Sequence, residues 1–80
     1  MTDIEFDAVW RDLIQRAWPK LEGFHADILR EDVGRCGQVA FLRAAKTAIR
    51  DWGHHTRVDI GRLAKLTYKA QAELKAERAR

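Results

Sequence analysis

The chain has 80 residues, 46% hydrophobic and 34% charged, with fifteen Lys or Arg against twelve Asp or Glu. That length holds one domain, residues 1–80, with no room for a second core, and the composition excludes a disordered chain. No apolar run is long enough to cross a bilayer, and the only cysteine, Cys36, has no internal partner for a disulfide.

The start, Met1-Thr2-Asp3-Ile4-Glu5, is acidic and lacks the apolar segment of a secretory signal, so no signal peptide is expected. With cysteine so scarce, the expected setting is the cytoplasm. Val, Ile, Leu, Phe and Trp supply 22 side chains. Burying each is worth roughly 1.5–3 kcal/mol, while each ordered residue costs about 1.5 kcal/mol of entropy. Marginal stability is therefore expected, with a homodimer or a partner adding to it.

Thr2 and Glu5 have capping-box spacing, which predicts a helix over residues 3–17 with Thr2 as N-cap. Phe6, Trp10, Leu13 and Ala17, flanked by Val9 and Ile14, form its apolar stripe. Pro19 stops this helix and suits the first turn of a second, over residues 19–32. Leu21, Phe24, Ile28 and Leu29 would face inward there, with Gly34 as a left-handed cap. A third helix is predicted over residues 37–52, with Phe41, Leu42, Ala45, Ile49 and Trp52 inward and Gly53 as its stop. A fourth follows Thr56, whose spacing to Asp59 again fits a capping box. Ile60, Leu63, Thr67, Ala70 and Leu74 form its stripe, and fraying is expected beyond Leu74. No segment alternates with the strand period. The predicted fold is all-α, a compact single-domain bundle of about four helices.

Charge is segregated along the chain. Residues 1–34 carry eight Asp or Glu against four Lys or Arg, whereas residues 35–80 carry four against eleven. Such a split points to charged partners. Arg43, Lys46 and Arg50 are spaced i, i+3, i+7 on the third helix, and Arg62, Lys65 and Lys69 repeat that spacing on the fourth. Each row lies well away from the apolar stripe of its helix and is expected to face solvent. Arg57 in the connection would join the two rows, and Tyr68 would add an aromatic stacking contact. These eight residues are the predicted partner-binding surface, for nucleic acid or an acidic or nucleoprotein partner. The plainer alternatives are a solvated amphipathic face, or internal pairing of the acidic first half with the basic second half.

Other motifs carry less. Residues 60–67 have the character of the first helix of a helix-turn-helix unit, but the sequence continues as helix where the turn should come. His25, Cys36, His54 and His55 lack metal-ligand spacing, so no metal or other cofactor is expected. The Gly34-Arg35-Cys36-Gly37 turn could offer backbone donors to an anion and activate Cys36, or simply enclose a small buried thiol, which is the preferred reading. The chain contains no serine, and its carboxylates fall on exposed faces, so neither catalysis nor a small-molecule substrate is expected. Trp10, Trp18 and Trp52 read mainly as core, with Trp18, next to Pro19, the one expected to be partly exposed.

These observations imply a small non-enzymatic binding module or regulator. Two other readings stand beside it. One is a phage- or plasmid-type effector that inhibits a host complex, such as a CRISPR effector, with Asp27, Glu31 and Asp32 imitating phosphates. The other is a structural or assembly protein that self-associates.

Overall fold

A computed structural model describes residues 1–53 and 57–79. It contains four helices and no strand among those residues.

Helix α1 covers residues 3–17 and begins with the predicted capping box. The Glu5 N–H donates to the Thr2 hydroxyl at 3.1 Å and the Thr2 N–H donates to the Glu5 carboxylate at 2.8 Å. The bond from the Thr2 backbone, and then that with its hydroxyl, hold the Glu5 carboxyl below its usual range. After Asp3–Val9 the helix widens into a π turn, Trp10–Ile14, and closes with Gln15–Ala17. A π turn takes in an extra residue and retards the rotation of the residues after it. Ile14 and Trp18 thereby swing onto the core and Leu13 moves to its margin. Trp18, expected to be partly exposed, is 5% exposed, and its indole N–H donates to the Gly53 carbonyl at 3.1 Å.

Helix α2 is Gly23–Val33 and starts four residues later than the sequence suggests. Residues beyond Pro19 form a turn, closed by the Leu21 N–H on the Trp18 carbonyl, and the Glu22 N–H at the helix start donates to His25 Nδ1. The buried face is Ala26, Leu29 and Val33, so Phe24 and Ile28 are about half exposed. Arg30 accounts for this rotation. It lies over the Phe6 ring at 5.0 Å and takes Asp7 at 2.9 Å, Asp27 at 3.4 Å and Asp3 at 3.6 Å. Gly34 is right-handed, not the left-handed cap expected. Space is what requires glycine here, because a Cβ would sit 2.9 Å from the Arg30 carbonyl oxygen.

Helix α3, Gln38–Trp52, ends as predicted at Gly53, whose φ of 69° favours glycine. Helix α4, Ile60–Arg78, is capped by Asp59, which accepts the Arg62 N–H at 3.2 Å. The expected cap partner Thr56 and the turn histidines His54 and His55 lie outside the described residues. Helix α4 runs past Leu74 to Arg78, and Glu73 and Glu77 of this stretch are tied to Arg43 of α3.

The two helices are antiparallel. Arg43, early in α3, meets the end of α4, while Trp52 at the end of α3 meets Arg62 at the start of α4. Ala40, Ala44 and Ala48 form an i, i+4 row of small buried side chains along α3, which lets the helix axes approach closely. This is the most extensive helix pair of the fold. Around it, Phe6 stacks on Phe41 at 4.9 Å, and Leu29, Val33, Ile14 and Leu63 complete one shared core.

Candidate nucleic-acid interface

The α3–α4 pair fixes where the cations stand. Both helices present a row at i, i+3, i+7 on the side away from the core, and antiparallel packing sets the rows alongside each other. Two shallow depressions open on this face and share Thr47, the first on α3 alone and the second between α3 and α4. The first, of about 420 Å³, is lined by Val39, Leu42, Arg43, Lys46, Thr47 and Arg50. The second, of about 250 Å³, is lined by Thr47, Asp51, Trp52, Arg62, Lys65, Leu66 and Lys69. Six of the eight predicted residues thus line this two-part trough, Arg43, Lys46 and Arg50 in its first part and Arg62, Lys65 and Lys69 in its second. Arg57 is exposed in the segment before α4 and lines neither depression.

Tyr68 is also placed elsewhere. It is half exposed, but its hydroxyl donates to the Asp32 carbonyl at the end of α2. The expected stacking residue of the cationic face instead ties α4 to α2.

The six cations differ in how free they are. Arg43 pairs with Glu77 at 3.1 Å and Glu73 at 3.7 Å, and the Glu77 carboxylate raises its pKa above the ordinary guanidinium value. Arg50 pairs with Asp51 at 3.0 Å. Arg62 lies over the Trp52 ring, 5.1 Å from its centroid. Lys46, Lys65 and Lys69 are exposed, with no carboxylate within 4.0 Å among the described residues. The trough therefore gathers six positive side chains against three carboxylates.

None of that neutralisation comes from the acidic first half. Among the described residues, no carboxylate of residues 1–34 pairs with a Lys or Arg of residues 35–80. Asp3, Asp7 and Asp27 converge on Arg30 instead.

The periodicity of the cations alone did not reveal the uncharged residues beside them, Val39, Leu42 and Thr47 in the first depression and Leu66 in the second, nor Glu73 and Glu77 as partners of Arg43. The i, i+4 spacing of those two glutamates marks them as one face of α4, but their partner is on another helix. The Gly34–Gly37 turn turns its carbonyls, not its donors, to a charged group. The Met1 ammonium donates to the Gly34 and Cys36 oxygens at 2.8 and 3.0 Å, and the Gly37 N–H is taken by Gln71 Oε1. Cys36 is 2% exposed, and burial pushes its thiol pKa up, the behaviour of a packed thiol. Helix α4 is unbroken where a helix-turn-helix would turn.

Comparison with family models, with curated proteins and with solved structures finds no match for this chain.

Proposed function

We propose that this chain is a non-enzymatic binding module, working in the cytoplasm, that docks on nucleic acid through the α3–α4 face. The observation that carries the reading is the set of exposed lysines with no carboxylate partner among the described residues, Lys46 on α3 and Lys65 and Lys69 beside Arg62 on α4. Cations held this way displace the counterions condensed on a phosphate chain, and that release drives association. The three carboxylates at the edge of the trough lower the affinity without reversing its sign. The single buried cysteine supports the cytoplasmic setting. No described helix is long and apolar enough to cross a membrane.

Fluorescence anisotropy with short labelled DNA and RNA at low and moderate salt tests the reading. Expected is binding that weakens steeply as salt rises and that collapses in a Lys65→Glu/Lys69→Glu variant of unchanged helicity. No binding at low salt overturns it. Binding to polyglutamate but not to either nucleic acid replaces nucleic acid by an acidic protein partner.

Self-association has one observation in its favour. Phe24 and Ile28 lie one helical turn apart on α2 and are 55% and 49% exposed, the kind of apolar pair that an interface covers. Sedimentation across a concentration series decides it, and a strict monomer at every concentration removes it.

A further inference from the structure

We infer that the outward face of α2 in one copy of this chain docks on the α3 depression of a second copy. This rests on the self-association reading above and adds which surfaces meet and in which direction.

Helix α2 carries two faces. Ala26, Leu29 and Val33 go inward, whereas Phe24, Asp27, Ile28 and Glu31 are all exposed. Those four stand at i, i+3, i+4 and i+7, within about 100° of one another, so α2 has a second stripe that points away from its own core. The stripe alternates apolar and acidic side chains. Asp27 reaches Arg30 at 3.4 Å, and Glu31 has no cation within 4.0 Å among the described residues.

Helix α3 carries the complementary stripe. Val39, Leu42, Arg43 and Lys46 repeat the i, i+3, i+4, i+7 spacing and line the depression of about 420 Å³ on that helix. Val39 is 59% exposed, and Lys46 has no carboxylate partner among the described residues.

The two stripes match in one register. With the helices parallel and Phe24 on Val39, the i+3 side of each stripe faces the i+4 side of the other, because two facing helices turn the same way about their axes. Ile28 then meets Leu42, Asp27 meets Arg43, and Glu31 meets Lys46. Each apolar side chain finds an apolar one and each carboxylate a cation, over the roughly 10 Å that seven residues span. The apolar pairs supply affinity, and the charges fix register and direction. The opposite direction fails, because it sets Glu31 on Val39 and Phe24 on Lys46. Pairing α2 with α2 sets Glu31 against its own copy when parallel and against Phe24 when antiparallel. Lys46 lies inside the depression, so a seated copy and a phosphate chain exclude each other there.

The contact joins unlike surfaces. A copy damaged on α2 still receives, and a copy damaged on α3 still donates. The test is sedimentation of the intact chain at low salt across a concentration series, with far-UV circular dichroism to confirm unchanged helicity. Wild type is expected to associate. Phe24→Ser/Ile28→Ser and Val39→Asp/Lys46→Glu, all at exposed positions, are each expected to weaken association by about tenfold or more. An equal mixture of the two variants is expected to recover a one-to-one dimer. A Val39→Asp/Lys46→Glu variant that associates like wild type, or a mixture no more associated than its two components, would overturn the α2-on-α3 assignment and leave self-association standing. A wild-type chain that stays monomeric at every concentration would remove both.

Discussion

Replacing Glu73 and Glu77 by glutamine is expected to strengthen binding. In the native chain these two carboxylates hold Arg43 at 3.7 and 3.1 Å, at the end of the trough away from Trp52. Glutamine keeps the size of each side chain and removes both charges, so the six cations would face only Asp51 and the Arg43 guanidinium would be free to turn outward. Neutralising one further phosphate of a single strand steepens the dependence of log K on log salt by about 0.7. Carried from about 1 M down to about 0.1 M salt, that slope corresponds to a gain of about fivefold in affinity. The assay is anisotropy across a salt series, wild type beside variant. Far-UV circular dichroism supplies the structural control, because the same pairs hold the last turns of α4 and a small loss of helicity there is expected. Unchanged affinity and slope with the rest of the fold intact would refute the placement of Arg43 in the docking face. A weaker variant would show that the glutamates themselves contact the ligand.

Three further outcomes check the packing. Phe41→Ala removes a fully buried ring stacked on Phe6 and is expected to cost about 3–5 kcal/mol in urea unfolding, a large share of the stability of so small a domain. Phe24→Ser with Ile28→Ser is expected to cost less than about 1 kcal/mol per site, because both side chains are half exposed; a loss on the scale of Phe41→Ala would restore the inward face that the sequence alone suggests. The Cys36 thiol is expected to resist alkylation until the chain unfolds. Burial raises its pKa in the folded state, so its contribution to stability is complete below the ordinary thiol value of about 8.5 and is lost as pH rises toward the folded value. A urea midpoint whose alkaline fall is the same in Cys36→Ala would remove that contribution.

The sequence carries the helices well and the faces of only some of them. Thr2 and Glu5, Gly53 and the i, i+3, i+7 cation rows are local signals, complete within one or two turns, and the structure uses each where the pattern places it. What misled was non-local. Arg30 reads as one cation in an acidic half, yet its three carboxylates and the Phe6 ring turn α2 so that Ala26, Leu29 and Val33 go inward and Phe24 and Ile28 do not. The π turn of α1 has no compositional mark, and without it the burial of Ile14 and Trp18 does not follow from a 100° step. Tyr68 stands among lysines in sequence, but its hydroxyl finds the carbonyl of Asp32 thirty-six positions away.

The same long-range contacts explain why a charge split along the chain becomes a charged face on the molecule. Opposite halves of a small bundle would ordinarily be expected to neutralise each other across their interface. Here the halves meet through the Phe6–Phe41 stack and through hydrogen bonds to backbone carbonyls, from Gln38 to Glu5, Tyr68 to Asp32 and Trp18 to Gly53, and none of the described ion pairs joins an acidic side chain of the first half to a cation of the second. Charges on either side must find partners within their own half or remain exposed. The acidic half has Arg30 placed to collect Asp3, Asp7 and Asp27. The basic half has three carboxylates in reach, and they take Arg43 and Arg50. Lys46, Lys65 and Lys69 remain exposed on the two helices whose seam the small side chains keep close, Lys46 in the depression on α3 and Lys65 and Lys69 in the one between α3 and α4. Lengthening that seam, by Ala44→Leu for example, would force the rows apart as well as overpack the core. A charge-dependent partner would then lose affinity even in a variant whose lysines are all retained.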